Sequence, residues 1–182
     1  SMHGVRRDLL RAQAESAGLP LHEVVIPQQC SNEQYEAAMR GALERHLTRG
    51  VRACAFGDLR LEDVRRYREE KLALVGMEAV FPLWGRDTRR LALEFIELGF
   101  RAILTCVDAE QLDGSFAGRE YDERFLADLP KGVDPCGENG EFHSFVYAGP
   151  VFSRPIVCRR GEVVVRDGRF HYCDLMGGGE RE

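Results

Sequence analysis

Apolar residues at Val5, Leu9, Leu10, Ala14 and Ala17 recur at the three-to-four spacing of one helical face. Gly18 follows as a stop, and Pro20 bars continuation. Leu21 to Ile26 reads as a short strand. Ser31, with Gln34 three residues on, opens a second helix that Gly50 closes. Val51 to Phe56 is an apolar run bounded by Gly57, the pattern of a buried strand. The alternation continues with a helix from Leu61 to Val75, a strand near Met77 to Phe81, a helix capped by Asp87 or Thr88 and ended at Gly99, and a strand over Phe100 to Val107. Helices and strands in strict alternation, joined by short connections, predict an α/β fold with a doubly wound parallel sheet covered on both faces. Such a unit normally starts with a strand, whereas this one starts with a helix. A leading strand is therefore expected ahead of Val5, in the middle of the sheet.

Beyond Asp108 the pattern changes. Residues 109–122 are polar and broken by Asp113-Gly114 and Gly118, and a short helix is predicted over Glu120 to Leu129. Strand-like runs follow at Phe142 to Tyr147, Arg154 to Arg159, Glu162 to Val165 and Arg169 to Asp174, with Asp167-Gly168 as a hairpin turn. The expected organisation is an α/β domain over residues 1–108, a smaller β-rich domain over 109–176, and a flexible tail over 177–182.

Composition narrows the partners. The 182 residues are 44% apolar and 30% charged, enough to bury a core without staples. A net charge of -5 argues against a nucleic-acid backbone as main partner. The pairs Arg6-Arg7, Arg65-Arg66 and Arg89-Arg90 read as solvated helix faces. Cysteines at 30, 54, 106, 136, 158 and 173 form no C-x-x-C pair. Neither a disulfide framework nor a zinc pattern is indicated, and a reducing cytoplasm is expected. No signal peptide or long apolar stretch is present in these residues, so no membrane partner is expected.

Ligands of open parallel sheets sit at the carboxyl ends of the strands. The loops there are Pro27 to Cys30, Gly57-Asp58, Pro82 to Asp87 and Asp108 to Gly114. Asp58 and Asp87 read first as helix caps. Trp84 is either a stacking platform or a core plug, and Arg86 suits a carboxylate or phosphate. The densest segment is Asp134-Pro-Cys-Gly-Glu-Asn-Gly-Glu-Phe-His-Ser144. Its glycines allow sharp turns, so Glu138, Glu141 and His143 can converge for acid–base work, or the segment is an ordinary turn into a hairpin. Cys136, Glu141 and His143 match no standard zinc spacing, and no metal site is assigned. His3-Gly4 is a helix entry or a ligand contact; His22, His46 and His171 read as structural or exposed.

Asp134 to Pro150 resembles the signature of the diphthine–ammonia ligase (diphthamide synthetase) family. Phe56-Gly-Asp-Leu, Phe81-Pro-Leu-Trp-Gly-Arg-Asp87 and Gly118-Arg-Glu-Tyr-Asp122 resemble its bacterial branch, and Gln13 to Pro20 resembles its first helix. The resemblance implies an adenine nucleotide alpha hydrolase-like fold (HUP type, PP-loop ATP pyrophosphatase superfamily). It also implies an ATP-dependent, carbon–nitrogen ligase that adenylates a carboxylate and transfers ammonia to it. ATP and Mg2+ are the implied cosubstrate and cofactor, a carboxylate-bearing acceptor and ammonia the partners, with a homodimer also open. Residue by residue, it implies catalytic roles for Glu138, Glu141 and His143, and nucleotide contacts for His3, Gly57 and Asp58. Substrate contacts are implied for Trp84, Gly85, Arg86, Asn139, Gly140 and Ser144. Two features depart from the family pattern. Its Ser-Gly-Gly-Lys-Asp-Ser phosphate loop is not among these residues, and Ser144 stands where Thr is usual. A non-catalytic nucleotide-binding domain and an ATP pyrophosphatase are the alternatives. Glu141→Ala and His143→Ala are expected to cost activity with little loss of folding.

Overall fold

The computed structural model describes residues 3–27 and 30–178; Ser1-Met2, Gln28-Gln29 and the expected tail beyond residue 178 lie outside the described residues. The chain falls into two compact units, His22–Arg86 and Ser1–Leu21 together with Asp87–Glu182.

The first unit has the order α2 (Asn32–Thr48), β1 (Ala53–Ala55), α3 (Glu62–Ala73) and β2 (Glu78–Val80), following α1 (Arg7–Ser16) of the other unit. The Ser31 side chain accepts from the Gln34 amide while the Gln34 side chain accepts from the Ser31 amide, the reciprocal cap read from the sequence. β1 and β2 are parallel, with Ala53 opposite Glu78 and Ala55 opposite Val80. The expected strand over Leu21 to Ile26 does not form. That stretch is irregular, and Val25 is 72% exposed, so no neighbouring strand supplies the ladder that an extended segment needs.

The second unit is built on a four-stranded antiparallel sheet. After α4 (Thr88–Glu97), capped by Asp87 through the Arg90 amide, the chain enters β3 (Arg101–Asp108). A short 3-10 turn (Gly114–Phe116) and α5 (Glu123–Asp128) lead to β4 (Phe142–Ala148), β5 (Cys158–Arg166) and β6 (Phe170–Gly177). The spatial order is β4-β3-β6-β5. Here the sequence expectation is corrected. β3 is not a fourth parallel strand; it runs antiparallel to both neighbours. Its seven residues after Arg101 are all buried, and a strand covered on both faces looks alike in a parallel or an antiparallel sheet. The run expected at Arg154 to Arg159 starts as a strand only at Cys158, and Gly177 ends β6 instead of opening a tail. The unit boundaries also differ from the expected division after residue 108, because β3 pairs with strands that follow it.

Each face of this sheet has its own core. Ala102, Leu104 and Val107 pack with Ala92 of α4 and with Leu112, Phe116, Tyr121, Phe125, Leu126 and Phe142. On the opposite face Leu9 of α1 packs with Ile103, Phe145, Ile156, Cys173 and Leu175. Residues 118–121 complete the edge of β3 that β6 leaves open. The Gly118 and Tyr121 amides donate to the carbonyls of Leu104 and Ala102, and the Leu104 amide donates to Arg119.

The carboxyl end of β3 is pinned to the β5–β6 hairpin, whose turn places Asp167 and Gly168 at φ 53° and 63°. Asp108, 2% exposed, accepts from the Arg169 guanidinium, from Gln111 Nε2 and from the Glu110 amide. The Arg169 hydrogen bond, reinforced by those of Gln111 and Glu110, outweighs burial and lowers its pKa to about 2. The unfolded carboxyl titrates near ~3.9. The pair therefore stabilises fully above about pH 4, and its contribution disappears as pH falls through about 2. With Arg169 partly in water this amounts to about 1–2 kcal/mol. Arg169→Ala is expected to lower stability at pH 7 and to flatten the acid limb of a stability–pH profile between about pH 4 and 2. An unchanged limb would locate the acid sensitivity elsewhere.

Candidate functional site

The candidate residues fall into two groups, one in each unit. In the larger unit the segment from Asp134 to Ser144 is a loop locked from inside. Gly137 has φ +68°, and a Cβ there would stand 2.8 Å from the Phe142 carbonyl, so conformation and space both require glycine. Glu141 is 2% exposed and points into the loop. One oxygen accepts from the Asp134 amide at 2.9 Å and from Asn139 Nδ2 at 2.8 Å; the other accepts from the Asn139 amide at 2.9 Å. Asp134, also buried, accepts from the Cys136 amide. The loop is tied outward by Tyr121, whose hydroxyl donates to the Pro135 carbonyl at 2.6 Å, and by Cys136, whose thiol donates to Thr88 at the start of α4. Burial raises the pKa of Tyr121 far above its ordinary value, so its hydroxyl stays a donor.

This cage leaves Glu138 half-buried and Asn139 exposed at its tip. It also delivers the chain into β4 with Phe142 inside, His143 half-buried and Ser144 exposed. His143 lies opposite Cys106 in the β3–β4 ladder. Its ring meets that of His3 edge-on, 4.4 Å between centroids. His3 is held by its backbone: Thr105, fully buried, donates its hydroxyl to the His3 carbonyl at 2.8 Å. Gly4 follows at φ +63°, where a Cβ would stand 2.6 Å from the Tyr172 ring. Partial burial first, and the second imidazole next, lower the pKa of His143. It is thus kept neutral, with a ring nitrogen available as a proton acceptor, at pH values where an exposed histidine begins to charge.

The second group lies at the carboxyl ends of β1 and β2. Phe56 and Phe81, each one residue past its strand, stack with centroids 5.6 Å apart, and Trp84 meets Phe81 edge-on at 5.8 Å. Two arginines from α3 cover them. Arg65 lies 4.7 Å from the Trp84 ring and 5.0 Å from Phe81; Arg68 lies 4.4 Å from Phe56 and forms an ion pair with Asp58 at 2.7 Å. Gly85 adopts φ +74°, and its amide donates to the Leu59 carbonyl, which fixes the turn carrying Trp84. Arg86 is exposed. An apolar cleft of about 120 Å³ opens beside Phe56 and Arg68, lined also by Tyr35, Met39, Cys54 and Tyr67.

Arg65 and Arg68 were not among the sequence candidates. The Arg65-Arg66 pair read as a solvated face, yet the i, i+3 spacing of 65 and 68 puts both guanidinium groups over one aromatic strip. Thr105 and Tyr121 were also missed, since a single hydroxyl inside an apolar run carries no mark of its partner. Asp87 serves as a helix cap, as its position suggested. None of the six cysteines is in a disulfide. Among the described residues no three His, Cys, Asp or Glu converge as metal ligands, and no helix is long and apolar enough to cross a membrane.

The loop that Glu141 closes, the strand that carries His143 and the first half of β6 lie within one recognisable stretch. Residues 87–173 match the diphthamide synthase C-terminal domain. Single relatives align as well. The chain is 34% identical over 110 residues to a diphthine–ammonia ligase of Bos taurus, covering 57% of this chain and 41% of that protein. It is 32% identical over 111 residues to the Homo sapiens diphthine–ammonia ligase, covering 58% of this chain and 42% of the relative. A Mus musculus diphthine–ammonia ligase aligns at 29% over 171 residues, 84% of this chain and 62% of its own length. The chain therefore spans less than half of the first two relatives. The diphthamide synthase C-terminal domain match contains Glu138 to Ser144 and leaves out Phe56, Asp58, Phe81 and Trp84. Together these likenesses support the diphthine–ammonia ligase family.

Proposed function

We propose that this chain belongs to an ATP-dependent amide-forming ligase of the bacterial branch of that family, in which ammonia is joined to an adenylated carboxylate. The observation that carries the reading is the locked loop from Asp134 to His143 inside the stretch matching the diphthamide synthase C-terminal domain. A carboxylate oxygen of the acceptor attacks the α-phosphorus of ATP and pyrophosphate leaves. Ammonia then attacks the acyl carbon, the amide bond forms, and AMP leaves with the bonding electrons. The attacking nitrogen sheds a proton, and His143, kept neutral by burial and by His3, is the group suited to take it. Glu138 and Asn139 at the loop tip, with Gly140 and Ser144, face the acceptor. Glu141 is a positioning residue, because its oxygens already accept from the loop's own N–H groups.

In the other unit, the aromatic strip of Phe56, Phe81 and Trp84 with Arg65 and Arg68 suits a planar base and its phosphates, with Gly57, Asp58, Gly85 and Arg86 around it. The described side chains build no cage for Mg2+, so the ion would come with the ATP phosphates, which commonly supply most of its ligands together with water. The acceptor is a carboxylate of the diphthine type or a bacterial counterpart.

The test uses the complete polypeptide that carries this chain, with ATP, ammonium and a panel of carboxylates. Pyrophosphate release that requires both ammonium and an acceptor is expected. Release without either would make it an ATP pyrophosphatase, and no release with no ATP binding would end the ligase reading. His143→Ala is expected to lower kcat about 100-fold or more with little change in KM. In the native enzyme, kcat is expected to fall on the acid side of ordinary histidine titration, below about pH 6.5, and this limb is expected to vanish in His143→Ala.

A further inference from the structure

The far edge of the antiparallel sheet is open. β5 pairs only with β6, so one side of its backbone has no strand beside it among the described residues. Natural edge strands are blunted by proline, by inward charges or by bulges. β5 has a bulge, between Arg160 and Val163, but only in its first half. From Val163 on the ladder is regular, with Val163, Val164, Val165 and Arg166 opposite Cys173, Tyr172, His171 and Phe170. All residues from Glu162 to Arg166 are exposed, and the three valines keep 47%, 46% and 51% of their surface in water. Three consecutive β-branched residues exposed on both faces of an open edge strand suit a strand that gains a neighbour.

We propose that this edge binds a second copy of the chain, β5 against β5 antiparallel, continuing the sheet across a twofold axis at Val164. Charge chooses both the occupant and the register. With the axis at Val164, Glu162 of each copy stands directly opposite Arg166 of the other, Val163 stands opposite Val165, and Val164 meets itself. Both opposite-charge pairs fall on the face of Val164. There Arg166 is already steadied by the Tyr172 ring, 5.0 Å from its guanidinium carbon. Moving the axis one residue to Val163 puts Arg160 opposite Arg166 and loses both attractive pairs. The strand is thus self-complementary in one register.

A contact five residues long on each side is small, so the dimer is a weak one, with Kd on the order of 10–100 µM. Sedimentation equilibrium of the intact chain over about 5–500 µM is expected to show reversible dimers. Val164→Lys places two ammonium groups face to face at the axis and is expected to raise Kd about tenfold or more. Glu162→Arg does the same by opposing Arg166, and adding Arg166→Glu in the same chain restores the pairs in reversed sense and the dimer with them. Thermal unfolding of each variant should stay near wild type, since these side chains are exposed. A chain monomeric throughout the range overturns the proposal and leaves the edge to a different partner. A dimer indifferent to Val164→Lys, or not rescued by the double reversal, overturns it by placing the interface elsewhere.

Discussion

Phe125→Ala is expected to lower the unfolding free energy of the unit built on the antiparallel sheet by about 3–5 kcal/mol. Phe125 is fully buried, on a helix of only six residues whose hold on the sheet depends on what that ring touches. Tyr121 lies 4.9 Å away between centroids, Phe142 5.3 Å and Phe116 6.0 Å, so three aromatic neighbours lose contact together. The cavity cannot close easily. Phe142 is fixed in β4, and Tyr121 is fixed by its backbone bond to Ala102 and its hydroxyl bond to Pro135. Urea titration followed by near-ultraviolet circular dichroism measures the loss. Phe125→Leu, which refills most of the space, should lose about half as much or less. A loss below about 1 kcal/mol for the alanine would show that this face relaxes instead of holding its shape.

Glu141→Ala is expected to cost about 3–5 kcal/mol and to unlock the loop, because three N–H donors lose their acceptor at once and the Asp134 amide is buried. This revises the sequence expectation that the substitution spares folding. Glu141→Gln keeps one carbonyl oxygen but brings an amide group among donors, so it should fall between. Amide hydrogen exchange at 134–141 is expected to speed up in Glu141→Ala well beyond the rest of the unit. His143 is half-buried and takes no part in the hydrogen bonds of Glu141, so His143→Ala should leave that exchange near wild type. If Glu141→Ala keeps native stability and loses only turnover, the carboxyl acts on substrate and does not clamp the loop.

The glycines of the loop show what a sequence can reveal. Gly137 and Gly140 both have positive φ, and the sharp turn they permit was legible from their spacing alone. That Glu141 turns inward was not, since nothing local separates a carboxyl that faces ligand from one that faces its own backbone. Asn139, read as a ligand contact, is also one of the donors that hold Glu141. The aromatic strip shows the converse. Trp84 stood out as the one tryptophan, while the arginines that cover the strip were hidden in a helix rich in charge.

By itself, the sequence determined the local units: the capped helices, the Asp167-Gly168 hairpin, the buried run of β3, and the glycine-framed loop. Each depends on neighbours within a few residues, through hydrogen bonds and steric limits that reach no further. Only tertiary structure decided that β3 runs antiparallel between β4 and β6, that residues 21–27 find no ladder, and that Glu141 is enclosed. Those outcomes depend on which distant segment supplies the missing hydrogen bonds. A buried strand presents the same apolar faces whichever way its neighbour runs.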